Sequence, residues 1–344
     1  MERCDIRSFL PEELEAEFGG LGLPPFRAEQ VFRWIHRGAG SFEEMTDLPK
    51  TLRQTLDLRY RLDPPVILQK QTSVDGTVKY LWGLWDGAAV ESVVMSYHHG
   101  NTVCISSQVG CRQGCAFCAS TIGGKVRDLE PGEILGQVIN AQKDSGKVIS
   151  NIVLMGIGEP LDNFENVLKF LKLVNHPNGI NVGMRHISLS TCGIIEKIDK
   201  LGDLDLQLTL SVSLHAPDDT TRNQIMPVNR RYGVKPLLEA CRRYFQKTGR
   251  RVSFEYAMID GVNDTPMHAC LLAKELAHTG SHLNLIPLNE VEESPLKPSK
   301  PDNLKRFLGI LREQGINVTV RRKLGGDIDA SCGQLRRKRE KRGR

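Results

Sequence analysis

The chain has 344 residues, 40% of them hydrophobic and 25% charged, with a formal net charge of +5. That size suits one large α/β domain with an appendage, and the mix is that of an ordinary globular protein. No apolar run approaches the roughly 20 residues that span a bilayer, and Met1 to Asp5 lacks the apolar core of a secretory leader, so a cytoplasmic protein is expected, not a membrane-bound or secreted one.

Residues 1–62 read as a helical N-terminal accessory domain. Helices are expected over Glu12–Phe18, Phe26–Arg37 and Lys50–Arg59, separated by Gly-Gly, Pro-Pro and Gly-Ala-Gly breaks. Phe26, Val31, Phe32, Trp34 and Ile35 supply an apolar face, and Arg27, Arg33 and Arg37 point outward, either toward RNA or merely toward solvent over a packing lid. Pro64-Pro65 opens a β extension over 63–100. Its strands are Val66–Gln71, Thr77–Trp82 and Ala88–Met95, with turn signals at Asp75-Gly76 and Asp86-Gly87. This meander is expected to pack against the start of the main domain.

From 101 to 325 strand and helix alternate. The strands are Thr102–Ser106, Asn151–Met155, His186–Ser190, Gln207–Ser213, Val252–Met258, His282–Ile286 and Ile316–Val320. Helices over Glu130–Asp144, Phe164–Val174, Ile194–Leu201, Lys235–Gln246, Pro266–His278 and Asp302–Gln314 fall between them. Six βα pairs and a closing strand predict an α/β fold with a parallel sheet curved into a partial (β/α)6 barrel. In such folds chemistry gathers at the carboxyl ends of the strands. Residues 326–344 form a Gly-flanked loop around Cys332 and a basic tail, whose last nine residues, Arg336 to Arg344, carry seven basic groups against one acid. A disordered segment drawn to phosphates is expected there, with a purely solubilising tail as the plainer reading.

The nine cysteines are distributed unevenly. Cys111-Arg-Gln-Gly-Cys115-Ala-Phe-Cys118 follows the first barrel strand, and in a reducing compartment such clustering points to metal or redox chemistry. Three thiolates on a short loop can hold three corners of a cubane iron–sulfur cluster and leave the fourth iron open. S-adenosylmethionine (SAM) can then bind that iron through its amino and carboxylate groups. A structural zinc normally takes four protein ligands, and only His98-His99 lies near enough in sequence to complete such a set. Phe117, inside the loop, is placed to exclude water. Gly156-x-Gly158-Glu159-Pro160 follows the second barrel strand, where glycine lets backbone approach a ligand and the Glu159 carboxylate can accept the SAM amino group. Cys4, Cys192, Cys241 and Cys270 show no metal spacing and read as structural thiols.

Four separated segments carry a resemblance over nearly the whole chain: Cys104-Ile-Ser-Ser-Gln-Val-Gly-Cys111 running into the cluster loop, Met155-Gly-Ile-Gly-Glu-Pro160, Ser213-Leu-His-Ala216, and Asp327-Ile-Asp-Ala-Ser-Cys-Gly-Gln334. Together they resemble the bacterial dual-specificity adenine carbon-2 RNA methyltransferases of the radical SAM superfamily. A sister family that methylates adenine carbon 8 typically has Ala after the Gly-Glu pair and Cys before the Gly of the first cluster motif. Glu159-Pro160 and Val109-Gly110 side with the carbon-2 family.

The resemblance implies a [4Fe-4S] cluster on Cys111, Cys115 and Cys118, and two SAM molecules per turnover. It implies Cys332 as the methyl-carrying cysteine, Cys104 as the resolving cysteine of a transient disulfide, and Glu91 or Cys104 as acceptor of the carbon-2 proton. Gly158, Glu159, Ser190, Ser213, Leu214, His215 and Asn289 are the implied SAM-binding residues. The implied substrates are 23S rRNA near the peptidyl-transferase centre and the adenine beside the tRNA anticodon. The arginine pairs at 230–231, 242–243 and 250–251, with Arg321, Arg322 and the tail, offer phosphate contacts. An electron donor such as flavodoxin or ferredoxin, no membrane partner and a monomeric state complete the expectation. The alternatives are the carbon-8 methyltransferase and a zinc-stabilised RNA-binding protein without catalysis.

Overall fold

The computed structural model describes residues 3–277, 279–291, 293–322, 324–328 and 333–342, with side chains described as far as residue 339. Helix α1 (Pro11–Gly19) starts with proline in its first turn, and Glu13 reaches back to accept the Leu10 amide at 2.7 Å. Helices α2 (Phe26–His36) and α3 (Lys50–Arg59) follow, and a short parallel pairing of β1 (Cys4–Asp5) with β2 (Tyr60–Arg61) ties the two ends of the module together. Leu14, Phe18, Val31, Phe32 and Leu56 are buried in a core continuous with that of the barrel. Phe26, expected on the apolar face, is instead 52% exposed under the Arg27 guanidinium.

The extension consists of β3 (Val66–Thr72), β4 (Val78–Gly83) and β5 (Ala89–Tyr97), all antiparallel. It does not pack against the barrel as a separate layer. A tight turn at His98–His99 returns the chain so that β5 pairs antiparallel with β6 (Gly100–Cys104), and the meander becomes part of the barrel sheet. Ten strands result, in the order β14-β13-β12-β11-β10-β9-β6-β5-β4-β3. The parallel part comprises β6, β9 (Ile149–Leu154), β10 (Ile187–Thr191), β11 (Thr209–Ser213), β12 (Val252–Met258), β13 (His282–Pro287) and β14 (Val318–Val320).

Crossovers run through α4 (Pro131–Ser145), α5 (Phe164–Asn175), α6 (Ile195–Gly202), α7 (Asp219–Ile225) with α8 (Val234–Thr248), α9 (Pro266–Leu276) and α10 (Pro301–Glu313). These are the expected strand–helix pairs, with α7 added. A small hairpin of β7 (Gln108–Gly110) and β8 (Lys125–Asp128), also absent from the sequence reading, brackets the cluster loop. The C-terminal segment departs from the disorder expected of it: α11 (Gln334–Arg342) forms, with Leu335 and Arg336 buried. Leu335 is the one apolar residue of this helix, in which six of the nine residues are basic, and it is buried.

Candidate active site at the carboxyl ends of the strands

The cluster loop is held from three sides. The Cys111 amide donates to the Gly124 carbonyl at 3.2 Å, the Ala116 amide to Ile225 at 2.9 Å, and the Cys118 amide to Cys115 at 3.1 Å. The three cysteines line one cavity of about 480 Å3 together with Cys104, Met155, Glu159, Ser190, Ser213, His215 and Asn289. Burial pushes the Cys111 thiol up to about 12 and raises Cys115 further, and the negative charges of neighbouring thiolates add to both shifts. Three mutually repelling thiolates in a partly dry cavity become favourable when a cationic centre binds them. Among the described residues no three His, Cys, Asp or Glu side chains converge as a single metal ion requires. Thiolates around one zinc would lie about 3.8 Å apart, whereas a four-iron cube spreads its ligands wider. His98 and His99 sit at the opposite end of β6 from Cys104, with His99 stacked on Tyr97. Three thiolates on one cavity suit an iron–sulfur cluster with one iron left open.

The glycine–glutamate turn packs directly against this loop. Gly158 has φ +110, and a Cβ there would lie 2.8 Å from the Gln108 amide nitrogen, so only glycine fits. Glu159 is buried; its carboxylate accepts the Leu161 amide at 3.1 Å and the Cys192 amide at 2.7 Å. Burial raises its pKa against the pull of those donors. Those bonds orient the carboxylate in the cavity wall, where an ammonium group would offset the cost of burying it.

His215 adopts φ +57 and its Nδ1 accepts the Ala257 amide at 2.9 Å. Burial, reinforced by Arg222, lowers its pKa to about 3, so the ring is neutral and carries its proton on Nε2. Phe117 packs edge-on against it with centroids 4.8 Å apart, closing the wall beside the cluster loop. Leu214 is not brought to the cavity: its side chain is in the core and its carbonyl accepts from Arg222.

Cys104 lies at the end of β6, buried beside Val93, Met95 and Leu324, and reaches the cavity wall. Glu91, the implied proton acceptor, is 3% exposed and ion-paired to Lys79 at 2.8 Å. It accepts the Gly333 and Arg336 amides, at 2.7 and 2.6 Å, so it lies under the first turn of α11. Cys332 falls outside the described residues. Cys192 lines the cavity, Cys241 is buried in the core, and Cys4 and Cys270 are exposed.

Sequence reasoning missed Arg222. This fully buried side chain spends all its N–H groups on the carbonyls of Cys192, Ser213, Leu214 and Tyr232 and on Asn229, at 2.8–3.1 Å. It thereby fixes the turns that present Ser213 and His215. An arginine in a short polar helix carries no sequence signal for such a role. The arginine pairs divide: Arg231 and Arg243 are ion-paired to Glu196 and Asp199, whereas Arg321 and Arg322 line the cavity.

Family models match two parts of the chain: the radical SAM superfamily over residues 105–272, and a ribosomal RNA large subunit methyltransferase N-terminal domain over residues 4–61. A probable dual-specificity RNA methyltransferase RlmN of Desulforamulus reducens is 50% identical over 340 residues, 98% of this chain and 97% of that protein. Its counterpart in Clostridium tetani is 49% identical over 335 residues, covering 97% and 94%. A radical SAM methyltransferase from Sphaerobacter thermophilus, solved by crystallography, superposes with a TM-score of 0.92 at 42% identity, covering 96% of this chain and 98% of that one.

Proposed function

Since the chain belongs to the RlmN family of dual-specificity RNA methyltransferases within the radical SAM superfamily, we infer that it methylates carbon 2 of adenine in RNA. The observation that carries this reading is the meeting of Cys111, Cys115, Cys118, Cys104 and the Glu159 carboxylate on one cavity. A polar methyl transfer fails at an aromatic carbon that has neither a lone pair nor an acidic proton, so the reaction needs one-electron chemistry. When bound, the [4Fe-4S] cluster and SAM supply that chemistry and the methyl group.

The protein's own residues hold and hand over groups. Glu159 would hold the SAM ammonium, the neutral His215 would offer its Nε2–H as a hydrogen-bond donor, and Ser190, Ser213 and Asn289 would offer further hydrogen bonds. Gly158 admits the ligand to the backbone, and Leu214 supports Ser213 and His215 from the core. Cys332 carries the methyl carbon as a thioether. Once the carbon of that thioether is bonded to carbon 2 and carbon 2 has lost its proton, to Cys104 or Glu91, Cys104 as a thiolate attacks the Cys332 sulfur. The S–S bond forms as the bond from that sulfur to the base-bound carbon breaks; the electron pair of the broken bond stays with the base, which takes up a proton there and leaves as methylated RNA.

The substrates are 23S rRNA and the adenine beside the tRNA anticodon. Arg321 and Arg322 line the cavity, where phosphates of an unstacked strand would pass. The enzyme acts as a monomer in the cytoplasm with a flavodoxin or ferredoxin as reductant. Anaerobic incubation of reconstituted enzyme with SAM, reductant and unmodified RNA tests the reading. Carbon-2 methyladenosine from the wild type and none from Cys332→Ala supports it. Methyl on carbon 8, or no methyl from an enzyme with an intact cluster, overturns it.

A further inference from the structure

Neither Glu91 nor Lys79 lines the cavity, and both are buried, at 3% and 0% exposure. Their position follows from sheet register. Lys79 on β4 stands opposite Val93 on β5, and Val93 opposite Cys104 on β6. Opposed residues share a face, so Lys79, Val93 and Cys104 form one row, with Glu91 two residues from Val93 on the same face. The carboxylate therefore lies on the rigid surface that also carries Cys104.

Above that surface starts α11. The first amides of a helix lack intrahelical partners, and a side chain at the cap normally satisfies one of them. Gly333, the cap residue, has no side chain to offer. Its φ is +79, and a Cβ would meet the Ser120 amide nitrogen at 2.8 Å, just past the cluster ligand Cys118. Glu91 takes over the task from a distant strand. One carboxylate oxygen accepts the Gly333 amide at 2.7 Å, the other the Arg336 amide at 2.6 Å, and Lys79 balances the charge at 2.8 Å. These are the two amides that a capping box would occupy. Gly333 follows Cys332 directly in the chain.

We propose that Lys79 and Glu91 are positioning residues that cap the first turn of α11, and so fix Gly333, the residue after Cys332, against Ala119 and Ser120 just past the cluster loop. The proposal rests on the reading of Cys332 as methyl carrier. It makes Glu91 necessary for methylation of the cysteine itself, a step in which no proton leaves the base.

The test compares Glu91→Gln, Glu91→Asp, Lys79→Met and Lys79→Arg as reconstituted full-length enzymes of matched iron content. Hydrogen exchange reads the amides of residues 333–336, and intact mass reads methyl transfer from SAM to Cys332 in the absence of RNA. The expected result is faster exchange confined to those amides, and cysteine methylation slowed by about tenfold or more in Glu91→Gln and Lys79→Met. Lys79→Arg should recover part of both. Glu91→Asp preserves the buried charge pair and is the variant expected to fold if the others do not; its shorter arm releases one amide and moves both readouts in the same direction. Unchanged exchange, or wild-type cysteine methylation with an accumulating protein–RNA adduct in Glu91→Gln, overturns the proposal and leaves Glu91 as a proton acceptor alone. A wild type that never methylates Cys332 sinks the reading of that cysteine, while the exchange measurement still decides whether the cap exists.

Discussion

The N-terminal helices and the C-terminal segment are both appended to the same sheet, and the two attachments differ in kind. The N-terminal module shares an apolar core with the barrel, and Phe32 packs against His36 and against His176 at the end of α5, with centroids 4.2 and 4.9 Å apart. The C-terminal segment hangs on polar clasps instead. Asp75 accepts the Gly325 amide at 2.8 Å, Asp327 accepts the Val74 amide at 3.1 Å, and Glu91 caps α11. Apolar burial has no directional partner to exchange and is lost only on unfolding. Hydrogen bonds to backbone amides can be traded for water at small net cost. The first attachment rests on apolar burial, the second on hydrogen bonds that water can replace.

The comparison breaks most visibly if Phe32→Ala fails to destabilise. Phe32 is 1% exposed, and its truncation should cost about 3–5 kcal/mol in chemical denaturation. Methylation per folded molecule should stay unchanged, because Phe32, His36 and His176 do not line the cavity. Activity falling faster than the folded fraction would show that the module shapes the site.

Acid sharpens the same contrast. Burial, reinforced by His176, lowers His36 to about 3, and its Nδ1 accepts the Ile180 amide at 3.2 Å. An unfolded histidine titrates near 6.5, so between pH 6.5 and 3 the unfolded chain binds the extra proton. The stability from a neutral buried His36 is complete above about pH 6.5 and is lost as pH falls toward 3, amounting to about 2 kcal/mol by pH 5. His215, lowered to about 3 by burial and Arg222, adds a parallel loss. His36→Gln should therefore remove about half of the drop in denaturation midpoint between pH 7.5 and 5.

What the sequence disclosed divides along the same line. The barrel strands and helices were legible because alternating apolar runs and Gly or Pro breaks are local signals. The cluster loop was legible because ligand spacing is a local signal too. The meander's membership of the barrel sheet was not, since strand pairing across the turn at His98–His99 is decided by register. Arg222, Lys79 and the cap role of Glu91 were invisible for a related reason: each acts on backbone groups remote in sequence. A buried arginine and a solvated one look alike until the fold is known.

Of the polar clasps, the turn at Gly333 should respond more strongly than the aspartates. Gly333→Ala must move the backbone of Ala119 and Ser120 or abandon φ +79, which should slow cysteine methylation by about tenfold with little change in global unfolding. If unfolding shifts as much as for Phe32→Ala, the C-terminal segment belongs to the persistent core and the contrast fails.

Asp75 gives the smallest and most selective effect. Its carboxylate is exposed on the β3–β4 turn, and the bond from the Gly325 amide, followed by those from Thr77, holds its pKa well below the usual carboxylate range. It is therefore ionised at any pH at which the enzyme works. Exposed charge-assisted contacts are weak, so Asp75→Ala should slow cysteine methylation by no more than about fivefold. Salt should reproduce part of that slowing in the wild type and add little in the variant, because screening acts on the same contact. The rate of methyl transfer to Cys332 at low and high ionic strength checks this, with global unfolding unchanged. A salt response that survives intact in Asp75→Ala would place the weak clasp elsewhere on the loop, with Asp327, which accepts from Ser73 and Val74 on the same turn, as the next contact to remove.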